Sequence, residues 1–148
     1  MNQKDLKYGK IGEIEAWNYF KRCTDVKYIF DVRDCDAFQT DDVDFVIYYG
    51  KGKLNKVEVK TDSKGHQTRN IAYETFTRGR TGCLARSTAD WIMYYFEKSG
   101  EMYKIAMKPL RGYIKNSELK EIPMGEEDGR GYLLRIDELI DLGIAKKI

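Results

Sequence analysis

Histidine is almost missing from this chain: His66 is the single one in 148 residues. Mechanisms that need two or more histidines are therefore excluded, among them HExxH metalloproteases, multi-histidine zinc sites and histidine-cluster phosphohydrolases. A Ser-His-Asp triad would have to run through His66, and no GxSxG turn accompanies it. GxxxxGK[ST] and GxGxxG phosphate loops are absent as well. Cysteine is scarce and odd in number (Cys23, Cys35, Cys83), without CxxC spacing. That argues against a zinc knuckle and a disulfide scaffold alike, and reduced cytoplasmic thiols fit best. Proline occurs twice, and no repeat, low-complexity tract or Pro/Ser-rich linker breaks the chain. No apolar run approaches the roughly 18 residues of a membrane span. Met1 to Asp5 lack the apolar core of a secretory signal, so the expectation is a soluble, cytoplasmic protein.

What is present suits one domain over residues 1–148 with a core of its own: 42% of residues are hydrophobic and 34% charged. Lys+Arg 26 against Asp+Glu 24 leaves a net charge of +2, too balanced for a basic arm. Any attraction for nucleic acid must be local. With these exclusions, chemistry falls to carboxylates and lysines.

Hydrophobic periodicity predicts a helix over about 9–22, its apolar residues Ile14, Trp17 and Phe20 at three-residue steps. A strand follows over 28–32, then an acidic loop over 34–42. Residues 44–49 and 54–60 read as a hairpin about the turn Gly50-Lys51-Gly52-Lys53. Further strands are expected over 70–76, 91–96, 102–107 and 132–136, with helices over 109–116 and after Ile136. The fold class is α/β, a mixed central sheet of four or five strands flanked by helices. A strand-helix addition from about Glu118 would serve as a dimer interface or a substrate flap.

The informative segment is 44–60. Alternation on a strand puts Glu58 and Lys60 side by side on one face, opposite Val57 and Val59. The hairpin brings Asp44, at the head of the preceding strand, alongside. The [DE]xK spacing alone is weak: this composition supplies roughly three such tripeptides by chance, and the chain holds five. Glu58-Val59-Lys60 is selected by its strand and by the upstream aspartate. In the first helix, Glu13 shares the apolar face with Ala16, Trp17 and Phe20, whereas Glu15 lies opposite, near Arg22. A core-facing carboxylate needs a partner, which a metal ion or a lysine would supply; the alternative is a capping glutamate.

These pieces resemble the PD-(D/E)xK nuclease superfamily, the restriction-endonuclease-like fold, and its small phage-type and Holliday-junction-resolvase-like members. The matching residues are Gly9-Lys10-Ile11-Gly12-Glu13, Asp44, Glu58-Val59-Lys60-Thr61, Asn70-Ile71-Ala72-Tyr73-Glu74 and Ser87-Thr88-Ala89-Asp90-Trp91, covering about residues 8–110. No proline precedes the aspartate in Asp41-Asp42-Val43-Asp44, so Asp41 or Asp42 is an alternative to Asp44. The resemblance implies a Mg²⁺-dependent DNA endonuclease or junction resolvase, with Mn²⁺ as substitute. Asp44, Glu58 and the Val59 carbonyl would hold the metal, as Mg²⁺ suits a few oxygen ligands and several waters. Glu13 would act through water or a second metal. Lys60 would orient the attacking water or stabilise the transition state, its pKa tending downward beside a cation. The other functional class is a non-catalytic DNA- or partner-binding module that keeps the fold.

Five cations are candidates for phosphate contacts. Arg78, Arg80 and Arg86 occupy a nine-residue window without an acid, and Lys64 and Arg69 lie nearby; an ordinary solvated loop is the alternative. Glu74 would join the site or lie on the surface. His66 reads as a bystander. The strand tyrosines (Tyr48, Tyr49, Tyr73, Tyr94, Tyr95) are explained by sheet packing better than by base stacking.

Overall fold

The computed structural model describes residues 3–125 and 128–148. Helix α1 (Gln3–Arg22) opens the chain, followed by β1 (Tyr28–Asp31), α2 (Asp36–Thr40), β2 (Phe45–Gly50) and β3 (Lys53–Asp62). Then come α3 (Gly65–Thr68), β4 (Asn70–Thr77), β5 (Arg80–Thr81), α4 (Cys83–Arg86), β6 (Trp91–Phe96), β7 (Glu101–Ala106) and α5 (Met107–Asn116). The chain ends with β8 (Ile122–Pro123), β9 (Arg130–Arg135), α6 (Ile136–Asp141) and β10 (Ala145–Lys147). The central sheet runs β1-β2-β3-β6-β7-β10, and β3–β6 is its parallel pair, so the sheet is mixed. Among the described residues no helix is long and apolar enough to cross a membrane.

Two cores lie on opposite faces of this sheet. Helix α1 covers one face, where Ala16 and Phe20 pack with Phe45, Ile47, Val57, Val59 and Met93. The contact stripe of α1 is Gly12-Ala16-Phe20, at steps of four residues, and not the expected Ile14-Trp17-Phe20. Ile14 is 57% exposed. Small residues let the helix press close: a Cβ on Gly12 would lie 2.2 Å from Oγ1 of Thr61. Trp17 sits at the edge of the stripe with its ring 5.6 Å from that of Phe45.

The other face carries a second, antiparallel sheet, β5-β4-β9-β8, which the periodicity did not separate from the first. Ile71 and Tyr73 of β4 and Leu134 of β9 pack on Ile92, Tyr94, Phe96, Tyr103 and Ile105 of β6 and β7. The expected C-terminal addition is thus corrected. Strand β9 is central to the second sheet, Ile136, Leu139, Ile144 and Ala145 are buried in the larger core, and β10 pairs with β7. Its apolar residues need the rest of the domain to cover them, so the segment cannot be an appended flap. The acidic segment expected as loop contains α2, and the Arg78–Arg86 segment expected as loop contains β5 and α4.

Candidate active site

Strand β2 begins one residue later than expected, at Phe45, which pairs with Val57 of β3. Asp44 therefore stands just off its end, its amide donating to the Val57 carbonyl at 2.8 Å. Beyond Val57 the β2 side of β3 has no backbone partner from β2. Asp44 fills the gap: its Oδ2 accepts the Val59 amide proton at 2.7 Å. A strand residue presents its N–H and C=O to the same side. The Val59 carbonyl thus faces the same vacated edge.

Glu58 and Lys60 share the face of β3 turned toward the second sheet, level with Ile92 and Tyr94. Glu58 is 6% exposed, a rare setting for a carboxylate. Lys60 Nζ lies 3.2 Å from its Oε1. Burial pushes the Glu58 carboxyl up to about 8 against the pull of Lys60, with the charge of Asp44 adding to the rise. Burial likewise lifts Asp44 to about 6, opposed by the Val59 hydrogen bond and raised further by Glu13. Burial lowers the pKa of the Lys60 ammonium, but Glu58 and the Cys83 thiol more than offset it. Its net shift is upward, set by the Glu58 carboxylate beside it.

Glu13 reaches this corner from α1, its side chain 23% exposed. Its partner is Arg33, which the sequence did not single out. Arg33 bonds Glu13 through Nη1, grips both oxygens of Asp31 at 2.8 and 2.6 Å, and lies 5.4 Å from the centre of the Phe45 ring. Glu13, Trp17, Asp31, Arg33 and Phe45 line a cleft of about 240 Å³. Glu15 is exposed.

Asp42, one alternative to Asp44, lies near enough for its charge to raise the Glu58 pKa, but it is paired with an arginine. Arg86 donates to both its oxygens, at 2.6 and 2.9 Å. The five expected cations do not form one cluster. Arg69 bonds Asp137 at 2.7 Å, Glu101 at 3.1 Å and the Tyr103 hydroxyl at 3.0 Å, tying α6 to β7. Arg86 is turned to Asp42. Arg80 lines an open cleft with Asp36, Gln39 and Asp42. The Arg78 amide donates to Asp128 at 2.8 Å. Lys64 shares with Lys60 a cleft of about 280 Å³ that Asp62, Glu74, Cys83 and Tyr94 also line. Glu74 thus reaches the neighbourhood of the site from the second sheet. Of the tyrosines, Tyr73, Tyr94 and Tyr95 are buried packing residues, whereas Tyr48 is half-buried and faces outward.

Cys83 and Arg33 were missed. Each acts through a contact between segments far apart in the chain, and neither carries a local motif.

A solved structure with this fold is that of a bacterial homing endonuclease, I-Ssp6803I, at TM-score 0.50 and 19% identity; the match covers 86% of this chain and 81% of that one. No protein-family model and no curated protein sequence matches the chain.

Proposed function

We propose that this chain is a divalent-metal-dependent nuclease that hydrolyses phosphodiester bonds in DNA, of the PD-(D/E)xK type. The observation that carries the reading is the meeting of Asp44 and Glu58 beside Lys60 at the edge where β2 ends. The fold it shares with a homing endonuclease supports the substrate class.

The donor set fits a hard cation. Among the described residues no group of three His, Cys, Asp or Glu side chains is placed to hold an ion. Two carboxylates and a carbonyl leave room for the waters Mg²⁺ retains, and Mn²⁺ accepts the same oxygen donors. Asp44, Glu58 and the Val59 carbonyl would hold it. When bound, such an ion supplies charge neutralisation at the phosphate and activation of the attacking water. Burial of both carboxylates favours a cation there, because their charged forms are costly without one.

The chain's own side chains supply the rest. Lys60 presents an ammonium next to the scissile phosphate and stabilises charge developing on it. Glu13 orients water from the α1 side, and Arg33 fixes the position of Glu13. Incubation with supercoiled plasmid and with a four-way junction in Mg²⁺ or Mn²⁺, with EDTA as control, tests the reading. Metal-dependent cleavage of plasmid is the result expected of an endonuclease; a cut confined to the junction marks a resolvase. No cleavage of either substrate defeats the proposal.

A further inference from the structure

The sheet face that carries Glu58 and Lys60 is covered over β6 and β7 by the second sheet, and at Glu58 itself, but over β1, β2 and the first half of β3 it is open. Two ranks of side chains stand there in register. Phe30, Val46 and Lys56 form one, and Tyr28, Tyr48 and Leu54 form the next. Phe30 is 50% exposed, Leu54 53% and Tyr28 65%, with the Tyr28 and Tyr48 rings stacked at 6.2 Å and 19°. Exposed rings grouped on a rigid sheet are unusual, because sheet aromatics normally pack inward. Successive ranks on a strand are about 7 Å apart. The face therefore starts one rank from Glu58 and leads directly away from it.

Charge narrows what can cover this face. Lys56 stands on this face and Lys51 at the tip of the hairpin, and residues 45–57 contain no acid, whereas Lys53 is turned to the α1 side with its Nζ 5.1 Å from the centre of the Tyr49 ring. An isologous contact with a second copy would set these lysines against one another. A polyanion with planar apolar groups fits both features. A duplex hides the faces of its bases within its own stack, whereas unpaired nucleotides offer them to aromatic side chains.

We infer that the open face of β1–β3 is a stacking platform for unpaired DNA, with Tyr28, Phe30 and Tyr48 receiving bases and the lysines receiving phosphates. The inference rests on the nuclease reading for its substrate class. It implies that the site acts on DNA with a single-stranded stretch beside the scissile phosphate.

The test is binding of a short fluorescein-labelled oligothymidine to the full chain in EDTA, followed by fluorescence anisotropy. The single strand should bind more tightly than a duplex of the same length. Tyr28→Ala and Phe30→Ala should each weaken it roughly tenfold, the scale of one lost base–aromatic stack. Tyr28→Trp should keep the affinity. Both positions are exposed, so the variants fold. Equal binding of duplex, or affinity unchanged by ring removal, overturns the inference. So does a concentration-dependent dimer in sedimentation that Tyr28→Ala dissolves. Because no metal or cleavage enters the assay, ring-dependent binding by an inactive protein would defeat the nuclease reading alone. An active nuclease indifferent to the rings would defeat this inference alone.

Discussion

Asp44 reaches past the end of β2 to accept the amide proton of Val59 at 2.7 Å, closing an edge that the strand itself leaves open. The bond uses one oxygen, Oδ2, and brings the carboxylate alongside Glu58 with a backbone carbonyl at the same edge. A side chain thus does the structural work of a strand residue while presenting charge to a site.

Asp44→Asn and Glu58→Gln should each abolish cleavage and leave the fold intact. Asparagine retains an oxygen that can accept from Val59, so the edge stays closed, while the anionic charge a hard cation needs is gone. Calorimetric titration with Mg²⁺ and Mn²⁺ checks this. Unchanged ion binding in both variants would place the metal elsewhere.

Lys60→Ala should lose cleavage but keep ion binding, since an ammonium is no metal ligand. Single-turnover rates and calorimetry on the same protein separate the two effects. Wild-type turnover in this variant would shift the role to another lysine of the face, such as Lys56, whose Nζ lies 3.2 Å from Oγ1 of Thr88.

Glu13 and Glu15 provide a comparison within one helix. Glu13 meets Arg33 and influences Asp44, whereas Glu15 is exposed. Glu13→Gln should slow cleavage at least tenfold, ~1.4 kcal/mol in barrier, and Glu15→Gln should change it little. Equal losses in paired rate measurements would show that the α1 face does not serve the site.

The parts legible in the sequence were those set by local period. The 44–60 hairpin follows from alternation about a Gly-Lys-Gly turn, and the inward side of Glu13 follows from helix phase. The second sheet was not legible, because β4 finds its central partner in β9 some sixty residues on, and single-sequence periodicity carries no pairing information. Ile14 misled for a different reason. Close approach through Gly12 and Ala16 rotates the contact stripe away from Ile14. The carboxylate partners of Arg69 and Arg86 were not legible either, because nothing nearby in sequence announces Asp137, Glu101 or Asp42.

The Arg69 cluster sets an acid limit on stability. The Glu101 carboxylate accepts from the Tyr103 hydroxyl, from Arg69 and from Lys147, and these bonds hold its pKa down to about 2. Its folded value lies below the unfolded one near 4.5, so the unfolded chain binds the extra proton. The stabilisation is complete above the unfolded value and is lost as pH falls through the folded one. Thermal melts between those limits should show a falling Tm, and Glu101→Gln should flatten that slope. An unaltered slope would assign acid sensitivity to other carboxylates.

Gly12 links packing to the site. A methyl group there would lie 2.2 Å from Oγ1 of Thr61, and that hydroxyl is buried with no hydrogen-bond partner among the described residues. Gly12→Ala should therefore push α1 off β3 and cost roughly 1–3 kcal/mol, the usual scale of overpacking. It should also lower cleavage, because Glu13 is the next residue and moves with the helix. Thr61→Ala removes the clashing oxygen and, since that oxygen bonds to none of the described residues, should cost little by itself. In the double variant both stability and cleavage should return toward the single Thr61→Ala protein. A double-mutant cycle by chemical denaturation measures the coupling. Additive losses would mean that the close approach of α1 to β3 at Gly12 does not position Glu13, and the helix would have to be held at the site by its Phe20 end.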